Sequence, residues 1–334
     1  MAFQAVMRPV AWDDTTFAAL LARNFGMTGD LAAGVRWQYL EGPMPPGSVF
    51  LLNWESTAIG CAGISSRVVS CRDRELSAAH FANFAVDRAH RTALPAITLQ
   101  RAVKRHVDHS YDLAIGFSNR HAMPVYRRLG YRVLGDMVRY ARVLRHAPYL
   151  ERYLRVRGPA KLAGVVLDRI KLARRGEPLV WLDDVDGRFD QLWEETRTEF
   201  PIVSRRDAAF LRWRFLRKPN ERHVVAALAP HDKLLAYAIV RGEPGGMAEI
   251  ADMFGPVAAL DRLLAALVPA LYHRGHTAAC VRFSGDLRVR AMLVKYGFTP
   301  REVERTVIVH VTPRCGLELA DATGWFLTEL DADT

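Results

Sequence analysis

Cysteine is scarce and scattered, with four in 334 residues, at Cys61, Cys71, Cys280 and Cys315. No Cys-x-x-Cys and no Cys/His ligand spacing occurs, which argues against a zinc site and a disulfide framework, and no metal is expected. Cys61 and Cys280 fall in apolar, strand-like runs and are expected as small core residues. Long apolar runs are missing as well. None reaches the roughly 18–20 residues that a membrane-spanning helix needs. The opening MAFQAVMRPVAWDD has neither the basic start nor the apolar stretch of a secretory signal. The expectation is a cytoplasmic protein without a transmembrane segment. Acidic residues are under-represented, with 36 Asp and Glu against 46 Lys and Arg and a net charge of +10. Such a surface suits phosphorylated cofactors, acidic carrier proteins, nucleic acid or anionic lipid, and does not choose among them.

What is present is an ordinary globular composition, half hydrophobic and a quarter charged. The length suggests two domains of about 150 residues, each able to bury a core. Much of the positive excess lies in Arg139–Arg175. There Leu162, Val165, Val166, Arg169 and Ile170 share helical spacing, with Lys161, Asp168, Lys171 and Arg175 nearer the other face. We read residues 146–176 as a basic amphipathic linker helix packed on a domain; a membrane-surface or carrier-docking helix is the other reading.

The halves echo each other. AAGVRWQYLEGP (Ala32–Pro43) and AAFLRWRFLRKP (Ala208–Pro219) share Ala-Ala-x-x-Arg-Trp-x-aromatic-Leu-x-x-Pro at an offset of 176. Each copy precedes a strand-like run, Ser48–Asn53 and His223–Leu228. RRLGY (Arg127–Tyr131) and VKYGF (Val294–Phe298) form a second echo in the same order. In the first half, periodicity predicts strand Val6–Val10 and helices Thr15–Phe25 and Leu31–Leu40, with Asp13 and Asp14 as N-cap candidates. Strands Ser48–Trp54, Ala58–Val69 and Ser77–Val86 follow, then helix Pro95–His109, strand Tyr111–Phe117, helix Arg120–Leu129 and a strand pair in Tyr131–Leu144. The second half repeats this order: strand Leu179–Leu182, helices Arg188–Thr198 and Arg206–Leu216, strands His223–Leu228, Leu234–Arg241 and Ala248–Met253. It closes with helix Ala258–His273, strand Thr277–Phe283, helix Leu287–Tyr296 and strand Thr306–Val311. This order implies an α/β or α+β layer fold with a mixed sheet.

Chemistry concentrates in YDLAIGFSNRHAMPVYRRLGY (Tyr111–Tyr131). Asn119 ends a strand, where its carboxamide can bond a ligand amide or cap the next helix. Ala122 and Tyr126 share one helix face, and Gly130 suits the left-handed position that stops the helix. Asn119, Ala122, Tyr126, Leu129, Gly130 and Tyr131 together resemble the closing strand–helix–turn of GNAT N-acyltransferases. The resemblance implies two GNAT-like domains in tandem, each a mostly antiparallel central sheet flanked by helices. They would be a catalytic unit at 1–145 and a degenerate one at 177–334.

By the same resemblance Tyr126 protonates the departing thiolate of an acyl donor, a phenol near pKa 10 serving a thiol near 8.5. Asn119 contacts the donor, and the backbone of His80–Val86, with Phe84, Ala85 and Val86 at its end, holds the thioester oxygen. The pyrophosphate loop falls on Arg91, Thr92, Ala93, Leu94 and Ala96. Leu94 stands where the family has a glycine, and Pro95, read as the first helical residue, removes an N–H that would face phosphate. Arg88, His90 and Arg91 place charge beside that loop. His80 is the candidate base, with Glu75, Asn83 and His121 nearby in sequence.

The second half carries Asp286 and Leu293 at the Asn and Tyr positions, and no phosphate loop. Glu249 and Asp252 there are read as solvent-facing carboxylates, or as groups facing an amine in the cleft, and LTELDADT as an acidic tail. The implied donor is acetyl-CoA or another acyl-CoA, and the acceptor a small-molecule amine. The layout is similar to double-GNAT proteins of polysaccharide synthesis, which points to an amino sugar. An acyl-carrier-protein-dependent N-acyl amino acid synthase, a Fem-type aminoacyltransferase and a non-catalytic binding protein are the alternatives; nucleic acid is not expected as a partner.

Overall fold

The computed structural model describes residues 3–10, 15–146, 176–319 and 321–332. Asp13 and Asp14, the linker helix within 147–175 and its carrier- or membrane-docking reading lie outside the described residues.

The first half runs β1 (Phe3–Pro9), α1 (Thr15–Phe25), α2 (Leu31–Tyr39), β2 (Ser48–Trp54), β3 (Thr57–Cys71), β4 (Arg74–Val86), α3 (Ala93–Ser110), β5 (Leu113–Ser118), α4 (Met123–Arg128) and β6 (Arg132–Val143). The second runs β7 (Val180–Leu182), α5 (Gly187–Thr196), β8 (Ile202–Ser204), α6 (Ala208–Leu211), β9 (Val224–Leu228), β10 (Ala236–Arg241), β11 (Met247–Phe254), α7 (Val257–His273), β12 (Ala278–Gly285), α8 (Leu287–Lys295), β13 (Thr299–Val311) and β14 (Trp325–Leu327). The mixed α/β class expected from the sequence is the one observed.

Strands such as SVFLLNW are apolar at successive positions because both faces are covered. Val49 and Leu51 pack with Phe17, Leu20 and Val35 of α1 and α2. Phe50 and Leu52 pack with Leu99, Val103 and Val107 of α3 on the opposite face. The period of two thus divides one run between two cores.

The halves do not carry separate sheets. Strand order is β1-β2-β3-β4-β5-β13-β6-β12-β11-β10-β9-β7, so β13 of the second half lies between two strands of the first, and β6 of the first half between two strands of the second. β13 pairs β5 from Thr306↔Ser118 to Val311↔Leu113, and β6 pairs β12 from Ala278↔Val143 to Phe283↔Val138. The stretch expected to be a strand pair, Tyr131–Leu144, is the single long strand β6. It pairs antiparallel with β13, which starts at Thr299, seven residues before the expected Thr306. Sequence periodicity marks strands but not their partners, and the exchange is invisible to it. β14 pairs β12 and β8, and β8 pairs β3, which closes a circuit through β3, β4, β5, β13, β6, β12, β14 and β8. Val69, Leu76, Ile115, Val307, Trp325 and Leu327 pack together in this circuit.

The repeated Arg-Trp motif meets itself at the join. Trp37 Nε1 donates to the Trp213 carbonyl (2.8 Å), and Trp213 Nε1 donates to the Trp37 carbonyl (2.7 Å). The rings stack with centroids 5.3 Å apart. Each buried indole N–H has its acceptor in the opposite copy, an arrangement close to a twofold.

Candidate active site

β4 and β5 run parallel and pair only at Ala78↔Leu113, Ala79↔Ala114 and His80↔Ile115. Past that point β4 stays with β3 as far as Val86, while β5 follows β13 to Ser118. A wedge therefore opens between them. At its edge β4 bulges, with Asn83 and Phe84 standing opposite Ala62, flanked by the pairs Gly63↔Ala82 and Cys61↔Ala85. Asn83 adopts φ +54, and its amide donates to Gln38 Oε1 (3.1 Å) and Tyr39 Oη (2.8 Å) of α2. Tyr39 lies so flat on β3 that a Cβ at Gly63 would come within 1.9 Å of its hydroxyl oxygen. The helix thus fixes the bulge, whose extra residue lines the opening.

The wedge leads into a cleft of about 490 Å³ bounded by α1 and α2, the bulge, the end of β5, Ala122 just before α4 and Tyr126 on it, residues 218–221 of the second half and Arg305 of β13. Tyr126 is 4% exposed. Its ring lies parallel to Phe81 and edge-on to Phe84 and Tyr131, with centroids 6.0, 6.0 and 5.3 Å away. Its place on the short α4 follows from Asn119, whose Oδ1 accepts from the His121 and Ala122 N–H groups (3.0 Å each), and from Gly130 at φ +80. The Asn119 carboxamide oxygen thus bonds the turn that leads into α4, whose own N-cap is Ala122. In the second half Asp286 caps α8 directly, accepting from Arg288 and Val289 N–H, while Leu293 is fully buried.

Other expected residues fall elsewhere. His80 is 2% exposed, with Nε2 2.5 Å from the Asp331 carbonyl. Burial, reinforced by Arg67 and Arg214, pushes its pKa well below the ordinary imidazole value. It is a neutral tie to the C-terminal segment, and it does not line the cleft. Glu75 lies at the opposite end of β4, 3.8 Å from Arg205, and His121 is exposed beside Arg120.

At the loop expected to bind pyrophosphate, α3 begins at Ala93, after Thr92, so Pro95 is its third residue and not its first. Ala93 and Leu94 are exposed, Leu94 at 62%, and their N–H groups begin the helix, where no intrahelical acceptor exists. Ala96 packs inward. Arg91 turns back, its Nε donating to the Val86 carbonyl (3.1 Å). Asp87, at the start of the loop, accepts from Arg23 and Asn24.

In the second half β11 and β12 also part, after Ile250↔Val281. That wedge is filled by the chain's own end: Phe326 and Leu327 pair with Gly285 and Ser284. Asp252, expected in solvent, is fully buried, bonded by Thr328 Oγ1 (2.6 Å), Tyr237 Oη (2.8 Å) and Arg206 Nε (3.3 Å). Asp331 holds the other side of Arg206 at 3.0 Å. Glu249 is paired with Arg241 and Arg282. The segment read as an acidic tail is therefore core through Ala332, because Arg206 neutralises its buried aspartate and Arg214 donates to the carbonyls of Glu329, Leu330 and Ala332.

Sequence reasoning missed the wall built by Gln38, Lys218, Glu221 and Arg305. Its one signal was Pro219, which ends the second motif copy where the chain enters the cleft. Among the described residues no group of three or more His, Cys, Asp or Glu side chains is placed to hold a metal, and no helix is long and apolar enough to cross a membrane. All four cysteines are buried and unpaired.

A parallel strand pair parts at mid-sheet, with a bulge on one strand and a short helix after the other. No family model matches the sequence, and no match was found among curated proteins. Solved structures do match. A GCN5-related N-acetyltransferase from Anabaena variabilis ATCC 29413 aligns with TM-score 0.69 at 13% identity, over 94% of this chain and 74% of that one. A conserved protein of unknown function from Enterococcus faecalis V583, described as a probable N-acyltransferase, gives 0.66 at 10% identity, over 92% and 72%. Saccharomyces cerevisiae N-myristoyltransferase with bound myristoyl-CoA gives 0.58 at 9% identity, over 96% and 87%. At these identities the likeness is one of fold.

Proposed function

We propose that this chain is a duplicated GNAT-type acyltransferase that moves an acyl group from a CoA thioester to an amine, with residues 1–145 catalytic and 177–334 supporting. The observation that carries this reading is the open wedge between β4 and β5, with Tyr126 at its edge and a cleft for an acceptor beyond it. The amine nitrogen attacks the thioester carbon, and peptide N–H groups at the Asn83–Phe84 bulge stabilise the oxyanion. The C–S bond then breaks, and Tyr126 gives its proton to the leaving sulfur, while the amine's own proton passes to solvent or a cleft group. The second half cannot repeat this, since Leu293 has no proton to give and the chain's end occupies its wedge.

An amino sugar, free or nucleotide-linked, is one acceptor class for the cleft. The α3 start supplies few phosphate ligands, because Pro95 lacks an N–H and Arg91 faces Val86. That observation favours a second donor, an acyl group on a carrier protein.

Thermal unfolding with acetyl-CoA, longer acyl-CoAs and CoA separates these readings, with a rise in midpoint expected for the CoA donor. Product formation only with an acylated carrier protein assigns the second donor. Neither a shift nor product with any thioester removes the enzyme reading.

A further inference from the structure

The two copies of the repeated motif differ at a position that faces the cleft. Gly34 stands third in AAGVRW, and the offset of 176 puts Phe210 at the same place in AAFLRW. Phe210 is fully buried, its ring edge-on to Trp213 with centroids 5.3 Å apart. Gly34 packs on nothing: a Cβ built on it meets no atom within 4 Å.

Backbone geometry does not require this glycine. It lies inside α2, its N–H donates to the Asp30 carbonyl at 3.2 Å, and its φ is not positive. Glycine weakens a helix interior, so any residue with a side chain would hold α2 more firmly. What the glycine provides is room. Leu31, Gly34, Val35 and Gln38 follow the i, i+3, i+4, i+7 spacing of one helix face, and that face lines the cleft.

The wall around the gap is apolar. Leu21 and Phe25, one turn apart on α1, and Met27 extend the surface of Leu31 and Val35 outward. Phe25 is 47% and Met27 44% exposed, so the rim offers large apolar side chains to solvent. A molecule entering from solvent meets this wall first. An acyl group arrives from the other end, through the wedge between β4 and β5. The loop expected to bind its carrier starts α3, which packs on the opposite face of the sheet from α1 and α2.

We propose that Gly34 sets the choice of acceptor: its missing side chain opens the α1–α2 wall to a primary amine carrying an aryl or alkyl group. The name acceptor rests on the acyl-transfer reading, whereas the binding preference stands without it.

The test compares amines on the full-length protein, phenethylamine and hexylamine against ethanolamine and glucosamine. Binding is followed by ligand-observed NMR, and transfer from acetyl-CoA and octanoyl-CoA by mass spectrometry. The apolar amines should bind about tenfold or more tightly than the polar ones. Gly34→Phe, which copies the second motif, and Gly34→Leu should bring that ratio towards one, while Gly34→Ala lowers it only in part. Thermal midpoints of these variants should not fall, which separates a filled cleft from a damaged fold. Gly34-dependent binding without product supports this inference and counts against transfer from CoA. A preference for octanoyl over acetyl donors, with none among the amines, gives the space to the acyl chain and overturns it. Equal or tighter binding of the polar amines, no binding by any amine, or a ratio untouched by both larger variants overturns it as well.

Discussion

Tyr126 and His80 both carry groups able to move a proton, and their surroundings separate them. Tyr126 borders the cleft among Phe81, Phe84 and Tyr131, so removing its hydroxyl leaves the ring packing intact. Tyr126→Phe is expected to lower kcat about 100-fold with the thermal midpoint nearly unchanged. Unchanged kcat would take the phenol out of the mechanism. Tyr131 beside it is held protonated, because burial, then Tyr126 and Asp108, raise its pKa. His80 and His223 are buried with depressed pKa values, His223 lowered to about 4 chiefly by burial. Both are neutral when folded but take up protons near pH 6.5 when unfolded, so the unfolded state binds more protons below that pH. Their contribution is present above about pH 6.5 and lost as pH falls towards 4 and below. Urea midpoints should fall between pH 7.5 and pH 5, and His223→Gln should flatten part of that slope. A midpoint independent of pH would contradict the burial of both rings.

At the scale of elements, two contacts join the halves. The reciprocal tryptophan bonds make Trp37→Phe lose a buried N–H donor and leave the Trp213 carbonyl without its partner. Its expected cost is about 1–3 kcal/mol in chemical denaturation. Trp213→Phe should cost a similar amount, because its bond is the mirror of the first. The end of the chain is the second contact. Deleting residues from Trp325 onward would leave Arg206 and His80 without their C-terminal partners and open the second wedge. Circular dichroism should show either no cooperative transition or one lowered by more than about 10 °C. A tail of merely solvated acids would be lost without consequence, and that result would refute the buried assignment.

Over the whole molecule, the exchange of β6 and β13 makes each half incomplete. A fragment of residues 1–146 would present β5 without β13 and β6 without either neighbour, bare edges of the kind that aggregate. It should elute as aggregate in size-exclusion chromatography, whereas co-expression with the remainder should restore a soluble complex. A monomeric, folded fragment would show the halves to be independent.

Much of this architecture is legible in the chain. Apolar periodicity locates nearly every helix and strand, and the Ala-Ala-x-x-Arg-Trp echo marks the two tryptophans that meet, Trp37 and Trp213. Asn119, Ala122, Tyr126 and Gly130 are readable because they act within a dozen residues, through a bonded turn, a helix face and a left-handed stop. Local geometry of that kind is written in local spacing. The fate of His80, the burial of Asp252 and Asp331 and the placing of Lys218 and Arg305 on one wall depend on partners far along the chain, as in His80 with Asp331, 251 residues apart. Those pairings arise only when β13 slides between β5 and β6 and the C-terminal segment closes the second wedge. Local spacing wrote the elements and the turn that carries Tyr126, whereas long-range packing settled which wedge stayed open and which side chains face it, because a strand's pattern specifies its buried faces and not the neighbour at its edge.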